Sequence, residues 1–477
     1  MSCCPRTLRL PRTACRNTQY TTMEKTMPEI SLPAGEVFPT LKSNILVDGF
    51  HIVIDLEKSK GSVMVDALTG REYIDCYTYF ATLPIGHNHP KMQDPGFRHS
   101  LMSAAIANPA NSDVYSREYA GFVDTFRRVA VPDEFRYLFF VAGGALAVEN
   151  AMKAAFDWKV QLNQRNGIEG GGDRILHFED AFHGRSGYTL SVTNTDPTKT
   201  ARFPKFDWPR VSSPALSFPV DEDAVAAAEE ASISEIKEAF RVDPHGIAAI
   251  LIEPIQGEGG DHHFRRVFLK RLRELADHYE ALLIFDEVQT GLGLTGSMWA
   301  FQQLGVTPDI VAFGKKTQVC GIMSTIRIDE VGSNVFHVSS RINSTWGGNL
   351  VDMVRCARYL EIIEEDGLVD NAATVGQRLI GGLAELQPEF PAVTNVRGQG
   401  LMIAFDLPDG AIREAVRAQC WENGLATLVC GPRSIRFRPP LTFSDADADR
   451  SIEILRASLL EVLEPVAEAA PARLEKE

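Results

Sequence analysis

The sequence predicts an α/β fold, a mostly parallel sheet sandwiched by helices, and three observations predict it. Short apolar runs end in turn residues and give way to helical periodicity, repeatedly along the chain. The runs are apolar throughout rather than alternating, as strands buried on both faces are. The polar residues that could carry chemistry fall where those runs end, which is where ligands bind in open parallel sheets.

The elements follow in order. "RYLFFV" (136–141) runs into Gly143-Gly144, then into "ALAVENAMKAAFDWKV", whose apolar residues recur every three or four positions. "RILHF" (174–178) leads into "EDAFHGRSG". "IAAILIEPI" (247–255) leads into "QGEGG" and the amphipathic "RRVFLKRLRELADHY". "ALLIFDEV" (281–288) runs into "QTGLGLTG", and "DIVAF" (309–313) into Gly314 and two adjacent lysines, Lys315 and Lys316. Lysine is strongly hydrated and seldom buried unpaired, so the default expectation returns both to solvent.

The bulk composition narrows the function. A chain of 477 residues with 44% hydrophobic and 23% charged residues has the makeup of a soluble enzyme of two or three domains. Its 48 basic against 63 acidic residues give a net charge of −15, and no domain-sized basic surface suits nucleic acid. No apolar run reaches the roughly 18 residues of a membrane span. The eight cysteines form no Cys-x-x-Cys pair, which suits reduced thiols in a cytoplasmic setting. His262-His263 lacks the i, i+4 spacing of a helical metal site, and no metal is expected. Residues 1–23 carry four arginines and no acid, the look of an organelle transit peptide or of an over-extended start ahead of Met23 or Met27. Import into mitochondria is expected only if that segment is a real transit peptide. The Ala/Glu/Pro-rich tail after about Pro465 also stands outside the fold.

Some strand ends can be joined into one site. Asp286 closes "LLIFD", where a carboxylate is costly to bury unless it caps a turn or faces a cation. Gly143-Gly144-Ala145 forms a tight turn whose following helix N-terminus can hold a phosphate. A lysine, an aspartate and a phosphate cradle are what pyridoxal 5'-phosphate requires. Lysine supplies the Schiff base, aspartate keeps the ring nitrogen protonated, and the helix end anchors the phosphate.

With those residues in place, "LLIFDEVQTGLGLTGSMWAFQQLGVTPDIVAFGKK" resembles the signature of the class III, fold-type I aminotransferases. "GHNHP", "AVENAMK", "FHGRS", "EPIQGEGG", "STWGGN" and "IRFRPPL" resemble further family motifs, in the family's order over about residues 35–460. "FGKKTQVCG" and "GGALAVENA" are similar to the L-lysine 6-aminotransferase branch. The resemblance implies a large cofactor-binding domain over 76–345. A smaller α+β domain would be made from 24–75 and 346–477. It makes Lys315, seven residues after Pro308, the Schiff-base lysine, and leaves Lys316 structural or solvent-facing.

The same resemblance places Asp286 on the ring nitrogen, Gln289 near the ring hydroxyl and the substrate, and Phe182 on the ring face. Gly144 and Ala145 would donate backbone N–H groups to the phosphate. Thr345 would reach the phosphate of a second subunit, so a homodimer with shared sites is implied. Gly143 stands where the family usually has serine, so one hydroxyl donor is missing.

The activity implied is transfer of the ε-amino group of L-lysine to 2-oxoglutarate, with Lys315 moving the proton. Ornithine, 4-aminobutyrate or a diamine is the alternative donor, and a catalytically silent oligomeric or regulatory protein the alternative of another class. Arg185 would grip the lysine α-carboxylate far from the ring. Arg436 would take the second carboxylate of 2-oxoglutarate, with Arg438 its rival. Glu258 would neutralise Arg436 while no such carboxylate is present, swinging on the glycine-flanked "QGEGG" loop.

Overall fold

The computed structural model describes residues 32–463. The arginine-rich start, the rest of the chain up to residue 31 and the C-terminal tail from 464 lie outside the described residues. Two compact units are present, up to Val53 and from Ile54 onward. Among its described residues the first holds one helix, Ala34–Lys42, with Glu36 in its first turn and Lys42 in its last, as the helix dipole favours.

The second unit contains three sheets. In chain order its strands are β1 (Val63–Val65), β2 (Glu72–Asp75), β3 (Phe135–Val141), β4 (Arg174–Phe178) and β5 (Arg210–Val211). Then come β6 (Ile247–Ile252), β7 (Leu282–Asp286), β8 (Ile310–Phe313), β9 (Cys320–Thr325) and β10 (Thr394–Gln399). The last four are β11 (Met402–Asp406), β12 (Leu425–Ala426), β13 (Leu428–Cys430) and β14 (Ser434–Phe437). The largest sheet has seven strands in the order β3-β9-β8-β7-β6-β4-β5. Strands β8, β7, β6, β4 and β5 run parallel, and β9 is antiparallel to both its neighbours.

Strand periodicity sorts the apolar residues onto two faces. Ile250, Ile252, Leu283, Phe285, Val311 and Phe313 share one core with Phe122 and Phe126 of helix Arg117–Ala130 and Leu269 and Leu272 of helix Arg266–His278. Ala249, Leu251, Leu282, Ile284, Ile310 and Ala312 share the other with Ala151, Ala155 and Trp158 of helix Gly144–Arg165. Both faces are therefore covered. That is why β6, β7 and β8 are buried at every residue and read as unbroken apolar runs. Strand β6 stops at Ile252, short of the predicted Ile255. Pro254 has no N–H to give a ladder, and the Glu253 side chain turns to the loop beyond.

The N-terminal part of this unit meets the C-terminal part directly. Strand β12 pairs in parallel with β2, Leu425 opposite Ile74 and Ala426 opposite Asp75. The four-stranded antiparallel sheet β10-β11-β14-β13 carries Arg436 on β14.

Candidate active site

The carboxyl ends of β4, β6, β7 and β8, with the loop after β3, surround a cavity of about 630 Å³. Gly144 and Ala145 line it at the start of helix Gly144–Arg165, and Phe182 and Arg185 in the loop after β4. Asp286, Gln289 and Lys315 come from the ends of β7 and β8. Glu258 follows β6, and Arg436 enters from β14. Nine of the ten sequence-predicted residues thus meet in one place. Thr345 does not: it is exposed, in a loop where its carbonyl accepts a hydrogen bond from Ser112 Oγ at 2.9 Å.

The lysine pair divides sharply. Gly314 continues the extended chain, Lys315 takes φ +53°, and residues 315–317 make one tight helical turn. The turn aims Lys315 into the cavity, where its Nζ donates to Gln289 Oε1. Burial, then the nearby Arg436 and Arg438 charges, bring its pKa down to about 8, against the pull of Asp286 and Glu253. Lys316 goes the other way but does not reach solvent, which corrects the solvent-facing alternative. It is buried, its Nζ donates to the Gln289 carbonyl at 2.7 Å, and burial pushes its pKa well below the usual lysine value. One residue, Gln289, therefore receives both lysines.

Asp286 is fixed from two sides. Its Oδ2 lies 2.8 Å from His183 Nδ1, and its Oδ1 accepts the Val288 N–H at 3.0 Å. His183 is buried and tied through its own N–H to Thr193 Oγ1, so it holds the carboxylate in position. Glu253 is the other member that sequence reasoning left without a role. Its carboxylate accepts the Phe182 N–H at 2.9 Å and the Gly257 N–H at 3.0 Å. Burial raises its pKa to about 7, against the opposing charge of His183 and with a smaller push from Asp286. Both residues lie inside motifs quoted above, "FHGRS" and "EPIQGEGG", and that adjacency was the available signal.

These residues fit pyridoxal phosphate. Helix Gly144–Arg165 starts with no side chain capping its N–H groups, which leaves an anion site at the cavity wall. Gly143 has φ +102°, a conformation that a side chain strains, so glycine suits the turn. A Cβ on Gly184 would lie 2.5 Å from that of Ala145, so only glycine lets the loop after β4 lie against the cradle. Among the described residues no group of three His, Cys, Asp or Glu side chains gathers to hold a metal.

At the substrate end the geometry differs from expectation. Arg185 is exposed at the rim, in no ion pair with the described residues. Arg438 does not line the cavity; it is buried against Asp261 and donates to the Phe437 carbonyl, so it is not the free guanidinium. Arg436 is 5% exposed, with Nε and Nη1 lacking partners among the described residues. Glu258 is not on Arg436. It is paired with Lys199, whose Nζ also lies over the Phe182 ring at 5.7 Å. Nor do the flanking glycines make a mobile loop. The Glu258 carbonyl accepts the Gly431 N–H at 2.9 Å, and a Cβ on Gly259 would fall 2.0 Å from the Asp180 carbonyl oxygen. The backbone is packed, so any swing belongs to the Glu258 side chain.

A further wall comes from residues Thr78 to Ala81, which no pattern in the sequence singled out. All four take φ between +43° and +63°, a left-handed turn built without glycine. Each such residue costs roughly 1–2 kcal/mol. Asp75 holds the turn by accepting the Tyr77 and Thr78 N–H groups, and Thr78 Oγ1 donates to the Arg438 carbonyl at 2.7 Å. Phe80 is thereby set into the cavity wall.

Comparisons with known proteins identify the family. The family model described as Aminotransferase class-III matches residues 46–459. The L-lysine-epsilon aminotransferase of Mycobacterium tuberculosis is 55% identical over 426 residues, 89% of this chain and 95% of that protein. The L-lysine-epsilon aminotransferase of Streptomyces clavuligerus is 50% identical over 91% of this chain and 96% of its own. The mitochondrial 4-aminobutyrate aminotransferase of Mus musculus is 31% identical over 86% of each. A solved lysine aminotransferase from M. tuberculosis superposes with a TM-score of 0.89 at 54% identity, covering 90% of this chain and all of that one.

Proposed function

Because the chain belongs to the class III aminotransferases, a family that works with pyridoxal 5'-phosphate, we propose that it transfers the ε-amino group of L-lysine to 2-oxoglutarate. The products are 2-aminoadipate 6-semialdehyde, which cyclises to piperideine-6-carboxylate, and L-glutamate. The observation that carries the donor is the gap in similarity. The lysine enzymes match at 50–55% over about nine-tenths of the chain, the 4-aminobutyrate enzymes at 31–33%.

When bound, the cofactor supplies an aldehyde carbon that exchanges amines and a ring that takes up an electron pair. Asp286, clamped by His183 and the Val288 N–H, would hold the ring nitrogen with its carboxylate. The open helix end at Gly144 and Ala145 takes the phosphate. Phe182, whose N–H is held by Glu253, would stack on the ring. Lys315 would hold the aldehyde carbon and serve as the base that moves the proton. With a pKa of about 8, part of the amine is already neutral near neutral pH. Arg185 at the rim grips the lysine α-carboxylate, which keeps the ε-amine as the reaching end. Arg436 receives the second carboxylate of 2-oxoglutarate.

The working species is a homodimer in this reading. Thr345 and Trp346 sit on a loop joined to Asn111 and Ser112 by three hydrogen bonds, beside exposed Val114 and Tyr115. Such an apolar patch on a loop that carries a phosphate-binding threonine suits a subunit contact. The five cysteines among the described residues are unpaired and buried, which suits the cytoplasm. No helix among the described residues is long and apolar enough to cross a membrane.

A single-turnover panel of donors tests the assignment. Lysine should discharge the yellow enzyme fastest, and ornithine, 4-aminobutyrate and diamines slowly. Faster reaction with any of those would replace the donor named here.

A further inference from the structure

Resting on that reading, we infer that Lys199 is a positioning residue that parks Glu258 and so holds Arg436 open for a dicarboxylate. Three observations meet here. Glu258 is paired with Lys199, Arg436 is buried with guanidinium nitrogens lacking partners, and all three side chains line the same cavity. The second carboxylate oxygen of Glu258, Oε2, is also buried without a partner, so one oxygen holds Lys199 while the other is uncommitted.

Lys199 is built to stay in place. It belongs to a single helical turn, Pro197–Thr200, fixed by Pro197 and by Asp196 accepting the Thr198 N–H at 2.8 Å. Its ammonium lies over the face of Phe182, and Asp196 is 4.0 Å away on the outer side. Because the Glu258 backbone is packed, the mobile part is its side chain, moving between two cations supplied by different parts of the chain.

The energetics favour such an arrangement. Moving a carboxylate from a salt bridge to nothing forfeits a charge-assisted hydrogen bond, whereas moving it between two cations nearly conserves that energy. The Lys199 and Glu258 side chains are 25% and 27% exposed, so the parked pair keeps some water. Arg436 lies deeper, and a pair formed there loses more hydration. The geometry described is therefore the one that accepts 2-oxoglutarate. With lysine bound, no substrate carboxylate approaches Arg436, and Glu258 leaves Lys199 to neutralise it. The outcome is a two-position switch in which Lys199 sets the balance.

Glutarate, a dicarboxylate with no reactive carbonyl, isolates this effect from chemistry. Its Kd for the holoenzyme is measured by calorimetry, alongside the single-turnover rate with lysine. Lys199→Met should weaken glutarate about tenfold, the worth of one charge-assisted hydrogen bond. It should lower the lysine concentration for half-maximal rate, because Glu258 is released toward Arg436. Lys199→Arg should restore both values. In a Glu258→Gln background, Lys199→Met should leave glutarate binding unchanged. Parallel weakening of both ligands, or an undiminished tenfold loss in the Glu258→Gln background, would overturn the parking role. The second outcome would instead make Lys199 a direct carboxylate ligand. If the wild type failed to turn over lysine, the donor assignment would fall while the glutarate cycle stayed readable.

Discussion

Replacing Lys315 by methionine should make the cofactor-free protein more stable near neutral pH while abolishing turnover. The folded protein holds the Lys315 proton only to about pH 8, against an ordinary lysine value of 10.5. At pH 7 both folded and unfolded chains carry it, and the folded one carries it where burial and two arginines oppose it. A gap of that size corresponds to about 3 kcal/mol, a ceiling because Lys315 keeps some contact with the open cavity. Losing the hydrogen bond to Gln289 costs about 1 kcal/mol, so Lys315→Met should gain roughly 2 kcal/mol. The sign with pH follows from proton counting. Between about pH 8 and 10.5 the unfolded chain binds more protons, so wild-type stability rises and the variant's advantage shrinks. Urea midpoints of both apoproteins, from about pH 7 to 10, check this. A wild type as stable as the variant at pH 7, or a gap indifferent to pH, would show that Lys315 is not held in a penalised charged state.

Three further outcomes are expected. Lys316→Ala should keep the borohydride-trapped cofactor on Lys315 in a peptide map, and a trapped cofactor on Lys316 would reverse the assignment. Ala81→Gly should raise the thermal midpoint, since glycine removes most of a left-handed penalty of roughly 1–2 kcal/mol, and a lowered midpoint would show that the turn is not strained at that residue. Trp346→Glu should give monomers with little activity in sedimentation and rate measurements, and active monomers would remove the shared-site reading.

How much of this was legible depended on what each feature writes into the chain. Strands β6, β7 and β8 could be read because burial on both faces demands unbroken apolar runs. Strands β12 and β13, two and three residues long, carry no such pattern and exist because neighbours pair with them. Asp286 and Lys315 were readable because a charge at the end of an apolar run is conspicuous. Lys199 was not: it sits in "TDPTKT", an ordinary polar turn, and meets Glu258 from 59 residues away. The left-handed turn at Thr78–Ala81 was hidden for the opposite reason, since threonine, tyrosine, phenylalanine and alanine all disfavour that conformation. Asp75 and the Arg438 carbonyl, distant in sequence from one another, help to hold it. The buried fate of Lys316 turned on a single carbonyl, Gln289, that no pattern announces.

The parallel pairing of β2 with β12 has a consequence for how the enzyme comes into being on the ribosome. Ile74 and its partner Leu425 are separated by about 350 residues, and the turn that places Phe80 follows β2 directly. Its anchor Arg438 and the cavity residue Arg436 are delivered later still. Contacts of such long sequence separation form late. A nascent chain can therefore complete the seven-stranded sheet and display Lys315 and Asp286 while its substrate wall is missing. The cavity is finished only when β12 and β14 have emerged, and until then the unpaired edge of β2 must be kept from other chains.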